Sequence, residues 1–169
     1  MLFSDIIDAV NKTSPYKISL KEEGLCFCFE TDNGLTYNIS LIKNRYIPIE
    51  RAYFIAFESV NSKKNKHDPK IGETIITIIA SCIDSAENII IFTCDNSDKK
   101  QDARNILFQK WFKKYIKRNY YRYDKSPDKT FDGVYASFIC SKNNPNISDY
   151  IILSTKLKLV YIIICCIIL

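Results

Sequence analysis

Hydrophobic residues along this 169-residue chain follow two rhythms, alternation in some stretches and a 3.6-residue period in others. Phe3, Ile6, Ile7 and Val10 share one face of a short opening helix, which Asn11 to Pro15 ends. Three strands are expected next, over Tyr16–Leu20, Gly24–Glu30 and Leu35–Ile42. In the second of them Leu25, Phe27 and Phe29 alternate with Cys26, Cys28 and Glu30. The segment Thr31-Asp32-Asn33-Gly34 predicts a hairpin, because Asn-Gly suits a turn with positive φ. A fourth strand over Arg51–Val60 is apolar on both faces, an arrangement suited to the middle of a sheet.

The second half is organised around 87–117. Ile89, Ile90, Ile91 and Phe92 form a short apolar run that suits a strand covered on both sides. Before it, Asp68 and Pro69 read as N-cap and first residue of a helix whose buried stripe is Ile71, Ile75, Ile78, Ile79, Cys82 and Ile83. The stretch 51–92 therefore predicts a right-handed βαβ crossover. After the polar turn Cys94 to Asp98, a capping box of Asp98 and Gln101 opens a long helix. Ala103, Leu107, Trp111 and Tyr115 fall on one line of it, widened by Ile106 and Phe108, with Trp111 as the core anchor. Two further strands are expected over Tyr120–Asp124 and Gly133–Cys140. These elements predict a single α+β domain over 1–150, with a mixed, mostly antiparallel sheet and the βαβ unit at its centre. The apolar tail over 151–169 is expected to pack on it as a helix or strand.

Leu159–Leu169 is a run of eleven apolar residues, against the roughly 20 that a spanning helix needs. Extending it back to Ile151 places Lys156 and Lys158 inside, so a membrane association is not expected. The opening segment contains Asp5 and Asp8 and lacks a basic start before an apolar run. Seven cysteines without a C-x-x-C pair read as free thiols in the reducing cytoplasm. A single histidine, His67, argues against a histidine-based metal site, and no metal is expected.

Charge and motifs narrow the function classes. The net charge is +5, with −1 over 1–85 and +6 over 86–169, so an anionic partner is expected to meet the second half. There is no P-loop, nucleophile elbow, zincin or dinucleotide fingerprint, and four glycines leave no glycine-rich phosphate loop. Asp95, Asp98, Asp102 and Arg104 cluster beyond the central strand, where ligands of parallel sheets sit. Asp95 is placed to orient a substrate or hold a cation, and Arg104 to clamp an anion. The same residue types also serve as ordinary turn and cap residues there. Lys70 and Gly72 at the start of the preceding helix complete a candidate anion site, with charge from Lys70 and close approach at Gly72. Lys110 to Lys125 interleaves seven basic residues with Trp111, Phe112, Tyr115, Tyr120, Tyr121 and Tyr123. Such a run can bind nucleic acid or an acidic protein, or be a solvated helix face over core aromatics.

Two resemblances add to this reading. Asp68, Lys70 and Ile71, then Cys94, Asp95, Ser97 and Asp98, then Ala103, Arg104, Leu107, Phe108, Trp111 and Phe112 resemble the pattern of an uncharacterised family of small Bacteroidota proteins, domain of unknown function 6169. The likeness covers roughly 15–147, implies a bacterial protein and assigns no activity. The tail is more apolar than the amphipathic helix that ends that family's chains. The order of elements also resembles the GCN5-related N-acetyltransferases (GNAT). That implies a GNAT-like fold and acetyl-CoA as the ligand, its pyrophosphate on the turn before the crossover helix, where Gly72 matches one of the usual glycines. The general-acid tyrosine of that superfamily corresponds to Phe108, which has no hydroxyl.

Overall fold

Local chemistry at two turns sets the frame. At the 31–34 turn Gly34 takes φ 71°, and Thr31 closes the turn from both sides. Its carbonyl accepts the Gly34 amide at 2.8 Å, and its buried hydroxyl accepts the Leu35 amide at 3.0 Å. Asn61 then ties this hairpin to the end of the fourth strand, donating to the Gly34 carbonyl at 2.7 Å and accepting from the Thr36 amide. The second turn is Asp68-Pro69, where an extended Asp68 caps a helix by accepting the Lys70 amide at 2.9 Å.

The structure is a computed structural model and describes residues 3–21, 26–43, 50–61, 67–84, 86–94, 98–116, 119–125 and 134–156. Its elements run α1 (Phe3–Thr13), β1 (Ile18–Leu20), β2 (Cys26–Glu30), β3 (Thr36–Lys43), β4 (Ala52–Ser59), α2 (Pro69–Ile83), β5 (Ile89–Cys94), α3 (Gln101–Tyr115), β6 (Tyr120–Lys125), β7 (Tyr135–Ser141) and α4 (Ile147–Lys156). The strands form one seven-stranded sheet in the order β1-β2-β3-β4-β5-β7-β6. Every neighbouring pair is antiparallel except β4 and β5, which are parallel and joined through α2. The fold is α+β with a mixed, mostly antiparallel sheet, as the pattern predicts. β7 comes last but enters between β5 and β6, so β5 is a central strand and β6 an edge.

The sheet is covered on both faces. On one, Ile6 and Val10 of α1, the Ile71–Ile75–Ile78–Ile79–Cys82 stripe of α2 and Phe108 of α3 pack on Ile39, Ile55, Ile90, Phe92 and Ile139. Stacked rings of Tyr16, Phe29 and Tyr37 close its far end. On the other face Tyr150 of α4, with Ile147 and Ile151, packs on Ala52, Ile89, Phe138 and Cys140. α4 thus starts before residue 150 and crosses the expected limit of the domain; the run 159–169 lies outside the described residues.

α3 corrects the sequence reading in two ways. Its buried residues are Asn105 and Phe108, with Arg104, Trp111, Phe112 and Tyr115 half-buried. Ala103 is exposed, as are Leu107 at 42% and Ile106 at 51%, so the first half of the expected 103–107–111–115 line turns away from the core, while Trp111 and Tyr115 pack against it. Apolar side chains surround this helix, and the face that wins carries the larger aromatic contact. Phe108 stacks on Phe92 at 4.5 Å between centroids and meets Phe57 at 5.2 Å. The second correction is the cap: Lys100 occupies the N-cap position and no side chain caps the helix.

Candidate functional site

The first turn of α2 is a site whose groups are already engaged. Tyr16 donates its hydroxyl to Asp68 Oδ2 at 2.6 Å, and the Lys70 ammonium binds Asp32 Oδ2 at 2.7 Å. The network joins the β2–β3 turn, the start of β1 and the helix cap. Burial, then the bond to Asp68, pushes the Tyr16 phenol up to about 12. The Lys70 bond holds the Asp32 carboxyl below its usual range, and the same bond raises the Lys70 ammonium. Two carboxylates thus stand beside the amides that an anion would seek.

Gly72 has a different neighbour from the one its sequence position suggests. A Cβ on it would lie 2.4 Å from Cε2 and Nε1 of Trp111 and 2.7 Å from Cδ1. The glycine is therefore the notch into which α3 lays its indole. One turn earlier, the Tyr115 hydroxyl donates to the Pro69 carbonyl at 3.2 Å. The start of α2 is covered by the last turns of α3.

That contact separates the candidate residues. Asp98 and Arg104 sit at the start of α3, whose 15 residues span about 21 Å at 1.5 Å per residue. Arg104 pairs with Asp98 Oδ2 at 2.6 Å, both partly exposed, and this bond keeps the Asp98 carboxyl low. Asp98 Oδ1 accepts the Lys100 amide at 3.1 Å, just ahead of Lys99 at φ 59°. Asp98 therefore shapes the turn before the helix instead of capping it. Lys70 and Gly72 share one helix start, Asp98 and Arg104 share another, and the two starts lie at opposite ends of α3. Asp95 lies outside the described residues.

Between the two helix starts, the sheet itself changes. The β4–β5 ladder has three pairs, Ala52↔Ile89, Tyr53↔Ile90 and Phe54↔Ile91. β4 continues through Ile55–Ser59 against β3 on one edge, without β5 paired to its other edge. Phe108 reaches over this parting, touching Phe57 of β4 and Phe92 of β5, and Trp111 lies against Phe108 at 5.5 Å between centroids.

One polar group was missed by the sequence reading. Arg122 of β6 has a side chain only 7% exposed, with its guanidinium carbon 5.1 Å from the Phe92 centroid and 5.5 Å from that of Phe112. Its Nε donates to Asp124 Oδ1 at 2.7 Å, an oxygen that also accepts the Ser137 hydroxyl. Buried Asn105, one turn before Phe108 on α3, has an Oδ1 without a partner. Alternation alone could have hinted at this: Arg122 and Asp124 stand two apart on one face of an otherwise tyrosine-rich strand.

Among the described residues no three His, Cys, Asp or Glu side chains are grouped to hold a metal ion, and no helix is long and apolar enough to cross a membrane. Cys26, Cys28, Cys82, Cys94 and Cys140 are free thiols.

Neither the curated proteins nor the solved structures contain a match to this chain. A family model does match, described as a family of unknown function, DUF6169, over residues 67–155. The match runs from the cap of α2 to the end of α4, takes in both helix starts, β5 and Arg122, and covers more than half of the sequence. This chain is a member of that family.

Proposed function

We propose that the chain is a ligand-binding domain with a GNAT-like order of elements, which receives an anionic carrier of the CoA type where β4 and β5 part. One observation carries this reading: the parallel pair stops after three residues while β4 runs on for five more. A strand edge left without a neighbour offers amides and carbonyls to an extended, amide-bearing chain, which can add to it as a further strand would. The pantetheine arm of CoA is such a chain. Lys70, in the first turn of α2, supplies charge for its phosphates. Phe108 stands where the resemblance implies a proton-donating tyrosine, so binding is assigned here and acetyl transfer is not. Free thiols support a reducing compartment such as the bacterial cytoplasm.

Titration of acetyl-CoA and CoA by calorimetry tests the reading. Saturable heat is expected below millimolar ligand, weakened several-fold by Lys70→Ala. No heat at millimolar ligand would overturn it.

Binding of nucleic acid by the Lys110–Lys125 run is less well supported. Trp111, Phe112, Tyr115, Tyr120 and Tyr123 pack against the two cores, and Tyr121, at 38%, is the exposed aromatic among the described residues of that run. Salt-sensitive binding to any oligonucleotide would favour it again.

A further inference from the structure

The buried guanidinium of Arg122 is held on three sides. Rings of Phe92 and Phe112 stand against it, and Asp124 accepts a hydrogen bond from its Nε–H. Nη2 lies 2.7 Å from the same Asp124 oxygen, and among the described residues neither Nη1 nor Nη2 has a hydrogen-bond acceptor. A buried donor left without one is destabilising. A methionine or leucine would fill the space beside two phenylalanines without that cost, so packing alone does not account for an arginine here. Asp124 is 41% exposed, so solvent reaches the carboxylate that holds the guanidinium.

We propose that Arg122 anchors a small-molecule site in which its Nη1 and Nη2 edge binds a carboxylate. The edge of a guanidinium matches a planar carboxylate with two parallel N–H···O bonds, and flanking aromatic faces favour a flat group. Asp124 selects the charge. It neutralises one unit of Arg122 and stands near any second anion, which disfavours a phosphate dianion relative to a monoanionic carboxylate. Ser137, donating to Asp124, fixes that carboxylate in place. The site shares Phe92 with the parting of β4 and β5 but takes a different ligand, and its test does not involve CoA.

The experiment follows the guanidinium N–H signals of Arg122 by NMR in the full chain, with acetate, propionate, inorganic phosphate and chloride at matched ionic strength. Acetate and propionate should shift these signals saturably, and chloride and phosphate should not. Arg122→Lys keeps the charge but loses the fork, and should abolish the carboxylate-dependent shifts of neighbouring Ser137 and Phe92 amides. Asp124→Asn, which removes the opposing charge and leaves Arg122 in place, should tighten acetate several-fold and admit phosphate. The Asp124→Asn arm decides the matter if Arg122→Lys fails to fold. Shifts equal for chloride and acetate, no saturation with any carboxylate, survival of the effect in Arg122→Lys, or unchanged acetate binding in Asp124→Asn would each overturn the proposal.

Discussion

Gly72→Ala separates packing from ligand binding at the start of α2. A helix interior normally gains about 1 kcal/mol when glycine becomes alanine. Here the new Cβ would sit 2.4 Å from two atoms of the Trp111 ring, against the usual carbon contact of about 3.5–4.0 Å. The indole must therefore retreat by more than about 1 Å. It is a rigid ring, and Phe108 backs it at 5.5 Å between centroids. Overpacking of this kind costs about 1–3 kcal/mol, so the two effects nearly meet and the clash wins by about 1 kcal/mol. For a chain of this length that lowers the melting temperature by about 2–4 °C.

The sign depends on the partner, which makes the claim checkable. In a Trp111→Leu background the ring is gone, and the same Gly72→Ala change should stabilise by about 1 kcal/mol. The cycle then shows a coupling of about 2 kcal/mol, well above the few tenths expected of independent sites. Urea melts of the four proteins measure it. Stabilisation by Gly72→Ala in the wild-type background would refute the contact argument. Loss of acetyl-CoA binding in Gly72→Ala with an unchanged melt would instead place the glycine at the ligand.

Three further outcomes follow from the same geometry. Tyr16→Phe removes the hydroxyl bound to Asp68 and should cost about 1 kcal/mol. With the Tyr16 phenol raised to about 12, its contribution is complete below about pH 10 and is lost as pH climbs through 12; the melts of wild type and Tyr16→Phe should converge over that interval. Burial pushes the Cys82 thiol up to about 12 and Cys140 up to about 11, so at pH 8 iodoacetamide should modify both only in denaturant; labelling of the native protein would contradict their burial. Phe108→Tyr should destabilise by about 1–3 kcal/mol, because its hydroxyl enters among Phe57, Phe92 and Trp111; an unchanged melt would show that the new group finds a polar partner.

The parts of the fold legible in the sequence are those decided by neighbours along the chain. Asn33-Gly34 fixes a turn because one residue takes positive φ, and Asp68-Pro69 fixes a helix start because the cap lies two residues from the amide it binds. The α2 stripe is unambiguous, since its isoleucines occupy one face alone. α3 offers no such choice. Ile106, Leu107, Phe108, Trp111 and Phe112 lie around the helix, and its rotation is decided by a notch at Gly72 and a ring at Phe92, both remote in sequence. The place of β7 between β5 and β6 is likewise a matter of partners, since hairpin order alone does not say which strand takes the free edge of β5.

The candidate site shows the same limit more sharply. Lys70, Gly72, Asp98 and Arg104 were gathered because each stands at a helix start. Grouping them assumes that the two starts lie side by side. The Gly72–Trp111 and Pro69–Tyr115 contacts place the start of α2 against the end of α3, whereas Asp98 and Arg104 stand at the start of α3. Arg122 had the opposite fate. In sequence it is one cation in a basic run, which suggests solvent, yet two phenylalanines from β5 and α3 close over it. Local rules assign charge to the surface because burying it is costly, and they fail where distant elements provide the partner. A residue that departs from its local rule in this way marks where function is most usefully tested. Parting strands and a buried guanidinium are two such departures, on different elements and with different ligand chemistry. Acetyl-CoA titration and acetate titration therefore succeed or fail separately.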